Sequence, residues 1–496
     1  MAVFSEMDLL ALMRVQNPWW QTGKTDERKD LQFHRGEYYV CEQTFWHTLR
    51  RFPVLIGPRR VGKSTIAYQM IGNLLRSGID PYRILYLSLD TSALEDAGIL
   101  RLLMLYRSQI SQAEDFYLFV DEVQKDEDWT SVLKYIYDAF PSARALATGS
   151  ASFRIEGKTR ETGEGRLRPI RIPTLSFYEY CMMKGLDAQE VKVEDVFQLH
   201  QATLAEQSTI MTKLACFEPE LNRYLRLGGF PEYVSVSQAD ESYALSLIEE
   251  NVINKAVYHD LTTTENVNPT QMKHLFSYLC NTTSNLVNVE EICREMRGIS
   301  NATVAKYIEI LESAGLIYRA EQMNSAGKKI LKARSKIHIA DSGIREAVMS
   351  ELHSPDDPVQ KGYLVESTAY KHTVDYCRCE DPHLKVGYMI QPGKDREIDI
   401  VICDQSGIRQ LVESKVRNQS AIRDSDLIIT AALPHQPGYV ITKSSTDYGL
   451  SKRENTTIYR IPAVTYLFLL GQMKYSKNRM AYQAPALDGE APKGNA

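Results

Sequence analysis

Across residues 52–150, short apolar runs alternate with stretches of helical spacing. FPVLIG, RILYLSLD (83–90), FYLFVDE (116–122) and ARALATGS (143–150) read as strands, and IAYQMIGNLLRSG reads as a helix after the first of them. Runs that are apolar almost throughout suit strands covered on both faces, so the pattern predicts a parallel sheet in an α/β layer. From about 190 to 260 helical periodicity dominates, broken by LRLGGFPEY at 225–233. Residues 289–320 read as helix, turn, helix, strand. Ser300 is placed to cap the second helix, and Val304, Ile308 and Leu311 share one of its faces. That is a winged-helix-like outline. After residue 360 a helix, YLVESTAYKHTVDY, precedes the short strands KVGYMIQ, EIDIVIC, IRQLVESK and GYVIT, a small mixed α/β domain. The NPWW at 17–20 reads as a hydrophobic latch onto the domain that follows.

Composition narrows the class. A chain of 496 residues exceeds one compact core, and about three domains are expected. With 44% apolar and 24% charged residues it has the make-up of an ordinary soluble protein. A net charge of −5 argues against a uniformly basic nucleic-acid coat but leaves room for local basic patches. Eight cysteines without a pairing rhythm suit a reducing cytoplasm, and Cys377, Cys379 and His383 lack the second ligand pair of a zinc site. The first twenty residues lack the n-region and apolar core of a signal peptide. No stretch nears the ~20 apolar residues of a membrane span, and VTYLFLLG (464–471) is too short. The tail from 476 has the composition of a disordered segment.

The most specific motif is the loop Gly57, Pro58, Arg59, Arg60, Val61, Gly62, Lys63, Ser64, Thr65, with a strand before it and a helix after it. Its glycines let backbone N–H groups close on a phosphate, and the helix N-terminus favours the anion. Lys63 is expected to reach the β- and γ-phosphates of a nucleotide, and Ser64 to ligand Mg²⁺. At the end of the third strand, Asp121 is expected in the Mg²⁺ shell and Glu122 beside it to polarise the attacking water. Thr148 and Ser150, ending the fourth strand, either orient that water or cap a helix.

GPRRVGKST, LFVDEVQ followed by Asp128-Trp129, ATGSAS, GRLRPIRIPTLSFYEY and LRLGGFPEY together resemble the AAA-superfamily ATPases of bacteria and archaea that carry a C-terminal nuclease-like domain of unknown function. The resemblance covers about residues 17–420. It implies a Mg²⁺-ATP-dependent mechanical or switching ATPase, with ATP and Mg²⁺ as cofactors and DNA, a protein partner or further copies of the chain as companions. It also implies a role for Arg166, after Gly165, as a finger or sensor at the γ-phosphate; the alternative is an ion pair with Glu161 or Glu164. The expected division is an N-terminal segment (1–50), a P-loop ATPase core (51–185), a helical lid (186–262), a winged-helix-like module (263–345), a restriction-endonuclease-like α/β domain (346–460) and a C-terminal segment (461–496).

Lys328, Lys329, Lys332, Arg334 and Lys336 form a basic run with no acid among them, either a DNA-contacting wing or a solvated face. Further on, Glu413 and Lys415 lie two apart on one strand and share a face, and Asp399 projects from a neighbouring strand. With Glu366 on the preceding helix, these four resemble the helix acid, strand acid and acid-x-lysine order of the restriction-endonuclease-like superfamily. Carboxylate oxygens suit Mg²⁺, and the lysine suits a nucleophilic water. The alternative is a structural ion-pair cluster.

Overall fold

β1 (Phe52–Gly57), β2 (Ile84–Ser88), β3 (Tyr117–Asp121) and β4 (Arg144–Ser150) pair in parallel, the arrangement their apolar runs predict. A strand not foreseen, β5 (Leu167–Arg171), joins them in the order β2-β3-β4-β1-β5. Its sequence LRPIR is short and buries Leu167 and Ile170 while exposing Pro169 and Arg171. It pairs with β1 and forms an edge, where a proline is tolerated. Helices Lys63–Arg76, Ser92–Gln109 and Trp129–Ala139 connect the strands.

This computed structural model describes residues 4–150, 165–186, 191, 193–256, 267–331, 333–349, 357–391, 396–415, 437–453 and 456–481. They fall into two compact units, Met1–Pro173 with Asn478–Ala496, and Thr174–Lys477. In the first, Trp19 and Trp20 are buried and donate from their indole nitrogens to the Ile84 carbonyl, at 3.1 and 2.9 Å. The tryptophan pair thus latches the N-terminal segment to β2.

The second unit holds one mixed sheet of nine strands. They are β6 (Asn285–Leu286), β7 (Ile317–Gln322), β8 (Lys336–Ile339), β9 (Lys385–Gln391), β10 (Arg396–Asp404), β11 (Gly407–Lys415), β12 (Gly438–Thr442), β13 (Gly449–Arg453) and β14 (Thr456–Pro462), in the order β13-β14-β12-β11-β10-β9-β7-β8-β6. The strands of the winged-helix-like outline therefore continue the C-terminal sheet, through the parallel pairing of Glu321 and Gln322 with Gly387 and Tyr388. Helix Asn301–Ser313 is capped by Ser300, whose Oγ accepts from the Thr303 N–H at 3.1 Å, and it buries Val304, Ile308 and Leu311. Helices Pro358–Glu380 and Ala463–Met480 add Leu364, Val365, Tyr370, Leu467 and Phe468 to the core that takes Ile400, Ile402 and Val412 from the sheet.

Residues 476–480, read from composition as part of a disordered tail, are helical. The buried run Val464–Leu470 seeds the helix, and no proline or glycine interrupts it between Gly471 and Met480. The remainder of that tail, 482–496, lies outside the described residues. No helix among the described residues is long and apolar enough to cross a membrane.

Candidate nucleotide site and acidic centre

In the first unit the C-terminal ends of β1, β3 and β4 bring the phosphate-loop residues and the two acids together. Gly57 ends β1 in register with Ser150 on β4. A Cβ on Gly57 would stand 2.1 Å from the Ile172 carbonyl oxygen, so only glycine fits there. Gly62 takes a left-handed φ of 95° and starts helix Lys63–Arg76, whose N-terminus receives no side-chain cap. The first N–H groups of a helix point out from its N-terminus, the end that favours an anion. Lys63 is buried and donates to the carbonyls of Gly57 and Pro58, at 2.9 and 2.8 Å.

Below the loop, the Ser64 hydroxyl donates to Asp121 Oδ2 at 2.7 Å, joining the two side chains expected to flank Mg²⁺. Thr148 Oγ1 donates to the other carboxylate oxygen, Oδ1. Tyr86, on β2, donates its hydroxyl to Oδ2 at 2.9 Å, a contact that sequence reasoning missed because β2 becomes β3's neighbour only in the sheet. The donor set of one hydroxyl and one carboxylate, held together, fits a hard divalent cation.

Glu122 follows in a left-handed conformation, φ 58° and ψ 45°, which costs about 1–2 kcal/mol for a residue with a Cβ. Burial and the neighbouring Asp121 raise its carboxyl pKa, and Lys63 opposes the shift. Gln124 ties this corner together: its Nε2 donates to Glu122, and its Oε1 accepts from the Ser150 N–H at 3.3 Å. Arg35, from the N-terminal segment, is also buried, and donates from Nη1 to the carbonyls of Val61 and Pro173, both at 2.8 Å. Gln124 lies inside the LFVDEVQ motif without having been given a role there, and Arg35 carries no sequence signal of its own.

Arg166 is not brought to this cluster. It immediately precedes β5, and its carbonyl accepts from Phe52 N–H at 2.8 Å, so it sits at the opposite end of β1 from the loop, about 16 Å away by strand rise. Its guanidinium pairs with Asp138, Nε to Oδ1 at 3.0 Å, and lies over the Tyr137 ring. The motif reading placed it at the γ-phosphate, but parallel pairing of β5 with β1 sends the residue before β5 to the wrong end of the sheet. Glu161 and Glu164, its other expected partners, lie outside the described residues.

In the second unit, β10 and β11 run antiparallel, and one residue beyond the Ile400–Val412 pair Asp399 comes opposite Glu413. The Ser414 N–H donates to Asp399 Oδ2 at 2.9 Å. Against β9, β10 changes register between Ile398 and Val401, and such irregularities re-aim side chains at sites. Glu413 pairs with Lys415, as their shared face predicts. Glu366 completes the four expected residues.

A fifth group stands among them. Lys336, read from sequence as part of an outward basic run, is buried on β8, and its Nζ lies 2.6 Å from Glu366 Oε1 and 3.3 Å from Asp399 Oδ1. It also pairs with Glu397, a second acid of β10. Burial pulls the Lys336 ammonium towards deprotonation, but Asp399, Glu366 and Glu397 together outweigh it and raise the pKa well above the ordinary lysine value. Burial, and then the Asp399 charge, push Glu366 and Glu413 up to about 8 each. Glu413 Oε2 is buried without a hydrogen-bond partner. These hard oxygens fit a divalent cation in kind. Among the described residues, however, no group of three or more acidic, His or Cys side chains is arranged to hold one as it stands. The carboxylates converge on the ammonium instead.

The rest of the basic run is also less uniform than its sequence. Lys329 is tied to Glu321, Lys328 and Arg334 are exposed, and Lys332 lies outside the described residues.

Comparison with known proteins agrees with the first unit. Residues 50–181 match the family described as an AAA domain, and residues 218–355 match a family described as a domain of unknown function. An uncharacterized protein of Haemophilus influenzae is 28% identical over 300 residues, 59% of this chain and 68% of that protein. One from Methanocaldococcus jannaschii is 24% identical over 338 residues, covering 66% and 68%. Among solved structures, a Walker-type ATPase of Pyrococcus abyssi aligns with a TM-score of 0.37 at 13% identity, covering 66% of this chain and 99% of that one. The Aeropyrum pernix ORC2 protein, in ADPNP and ADP complexes, aligns with a TM-score of 0.37 at 14% identity, covering 68% and 98%. The fold assignment rests on the sheet order and the loop: residues 50–181 carry an AAA-type P-loop ATPase fold, and a second, mixed sheet follows it.

Proposed function

We propose that the chain binds and hydrolyses Mg²⁺-ATP at the loop Gly57–Thr65, and that the nucleotide state controls how the second unit engages DNA. The observation that carries the reading is the Ser64–Asp121 contact directly beneath a glycine loop whose lysine rests on backbone carbonyls. Ser64 and Asp121 would hold Mg²⁺, which supplies charge neutralisation at the phosphates. Lys63 exchanges its carbonyl partners for phosphate oxygens. Glu122, fixed by its strained backbone and by Gln124, orients the attacking water, and Ser150 lies beside it at the end of β4. ATP turnover is the test: Lys63→Ala and Glu122→Gln each lower kcat by about 100-fold or more, as removal of a catalytic group does. Unchanged turnover in both rejects this site.

For the second unit we infer a metal-dependent nuclease-type centre, in which Glu366, Asp399 and Glu413 would hold a divalent ion and Lys415 would position the water. Supporting it is the convergence of three carboxylates with the buried, unpartnered Glu413 Oε2. Incubation with plasmid, Mg²⁺ and ATP gives cleavage that Asp399→Ala and Lys415→Ala abolish. A second reading, a nucleotide-controlled switch that binds DNA or a protein without cutting it, is favoured by one observation: the Lys336 ammonium stands where the ion would be. Intact ATP turnover with no cleavage of any DNA or RNA form selects it.

A further inference from the structure

We propose that Lys336 is a built-in exchangeable cation: its ammonium closes the acidic centre, and a divalent ion enters only when Lys336 leaves. The inference rests on reading Glu366, Asp399 and Glu413 as metal ligands, and it adds the condition under which they become so.

Geometry makes the two cations mutually exclusive. Glu366 Oε1 and Asp399 Oδ1 are oxygens a divalent ion would need, and both already face the ammonium, at 2.6 and 3.3 Å. Mg²⁺ sits 2.0–2.1 Å from its oxygen ligands. An ion bound to the same two oxygens would lie within a few ångströms of Nζ, and like charges at that separation in a buried site repel strongly. One of them has to go.

Charge explains why something must stay. Glu366, Glu397, Asp399 and Glu413 bring four negative charges, and Lys336 and Lys415 return two, which leaves a formal −2 when all are ionised. Both cations are already paired, yet Glu413 Oε2 remains buried without a partner. Burial meets that deficit for now by holding the Glu366 and Glu413 carboxyls up at about 8, and a divalent ion would meet it instead with both ionised. Burying such a deficit is costly, so loss of Lys336 without replacement is opposed and exchange for M²⁺ is favoured.

Lys336 is the first residue of β8, immediately after the exposed Arg334 and the half-buried Ser335, and a change of its side-chain rotamer leaves intact the backbone pairing of β8 with β7 and β6.

The test uses the full chain without nucleotide and Mn²⁺ as the probe. Calorimetric titration of Lys336→Met should show Mn²⁺ binding about tenfold or more tighter than in the unaltered chain. In the unaltered chain, acetylation read by mass spectrometry should find Lys336 protected without metal and labelled about tenfold faster under saturating Mn²⁺. Mn²⁺ binding with Lys336 still protected, or with equal affinity in the two chains, overturns the exchange. Absence of Mn²⁺ binding from both chains, or survival of the tightened binding when Asp399→Ala/Glu413→Ala is added to Lys336→Met, overturns the metal-ligand reading itself. Should Lys336→Met fail to fold, the labelling of the unaltered chain decides alone.

Discussion

Two lysines, one in each unit, are held by rings of oxygen of different character. Lys63 is held by the carbonyls of Gly57 and Pro58, uncharged groups six and five residues away. Lys336 is held by Glu366, Glu397 and Asp399, carboxylates 30 to 63 residues further along the chain. A ring of neutral dipoles yields its lysine readily to an anion, because the dipoles it leaves behind carry no net charge. A ring of carboxylates yields its lysine only to another cation, because the charges left behind would be buried and unpaired. The first pocket suits phosphate and the second suits metal, although each presents a buried ammonium.

The largest expected effect separates the two rings by stability. Lys336→Ala should destabilise the second unit by about 3–5 kcal/mol, the usual cost of breaking a buried ion pair from one side. Lys63→Ala should cost its unit only about 1–2 kcal/mol, since the hydrogen bonds it gives to Gly57 and Pro58 go to uncharged carbonyls. Hydrogen exchange along β1, β10 and β11 reads both, and equal losses would erase the contrast. Next, Gly57→Ala drives a Cβ into the Ile172 carbonyl and should weaken nucleotide binding by at least about tenfold, roughly 1.4 kcal/mol, in a fluorescent-nucleotide titration. Unaltered affinity would mean the loop can re-form around a side chain.

A third test uses pH. His372 is buried; its Nε2 accepts from the Phe177 N–H at 2.9 Å, and its Nδ1 lies 2.8 Å from the Thr368 carbonyl, so the neutral ring is locked in one tautomer. Burial, and then the charge of Lys371, push its pKa down to about 3. The unfolded chain takes up this proton near pH 6.5 and the folded unit does not. The stability it contributes is therefore complete above about 6.5 and declines as pH falls towards about 3, by up to about 1.4 kcal/mol per pH unit. The difference in unfolding free energy between the unaltered chain and His372→Gln should change with that slope from about pH 6.5 to 4, because the opposing raised carboxyls of Glu366 and Glu413 are common to both chains. The smallest effect is expected for Arg166→Ala. Its half-exposed pair with Asp138 is worth less than about 1 kcal/mol, and ATP turnover should not change. A large loss of turnover would place the guanidinium back at a nucleotide.

How far each region could be read from sequence follows the same divide. The loop and its helix were legible because glycine spacing, lysine and hydroxyl are consecutive and their chemistry is local. The four apolar strands of the first sheet were legible because burial on both faces leaves no polar alternation. β5 was not, because LRPIR is a half-exposed edge. Asp399, Glu413 and Glu366 could be nominated from strand parity and residue type, and Glu397 was within reach of the same rule, since it lies two residues before Asp399. Lys336 was not. In a run of five basic residues nothing local distinguishes the one that turns inward, and only the pairing of β8 with β7 and of β7 with β9 carries it to the carboxylates.

The sequence by itself therefore determined the phosphate loop, the acids at the end of β3 and the alternation that makes a parallel sheet, because each depends on residues within one or two turns or strands. Only the tertiary structure decided that Arg166 stands at the far end of β1 and that Lys336 faces inward. Both follow from strand neighbours far apart in the chain. Strand order and register decide which end and which face a side chain meets, and neither is encoded by residues adjacent to it.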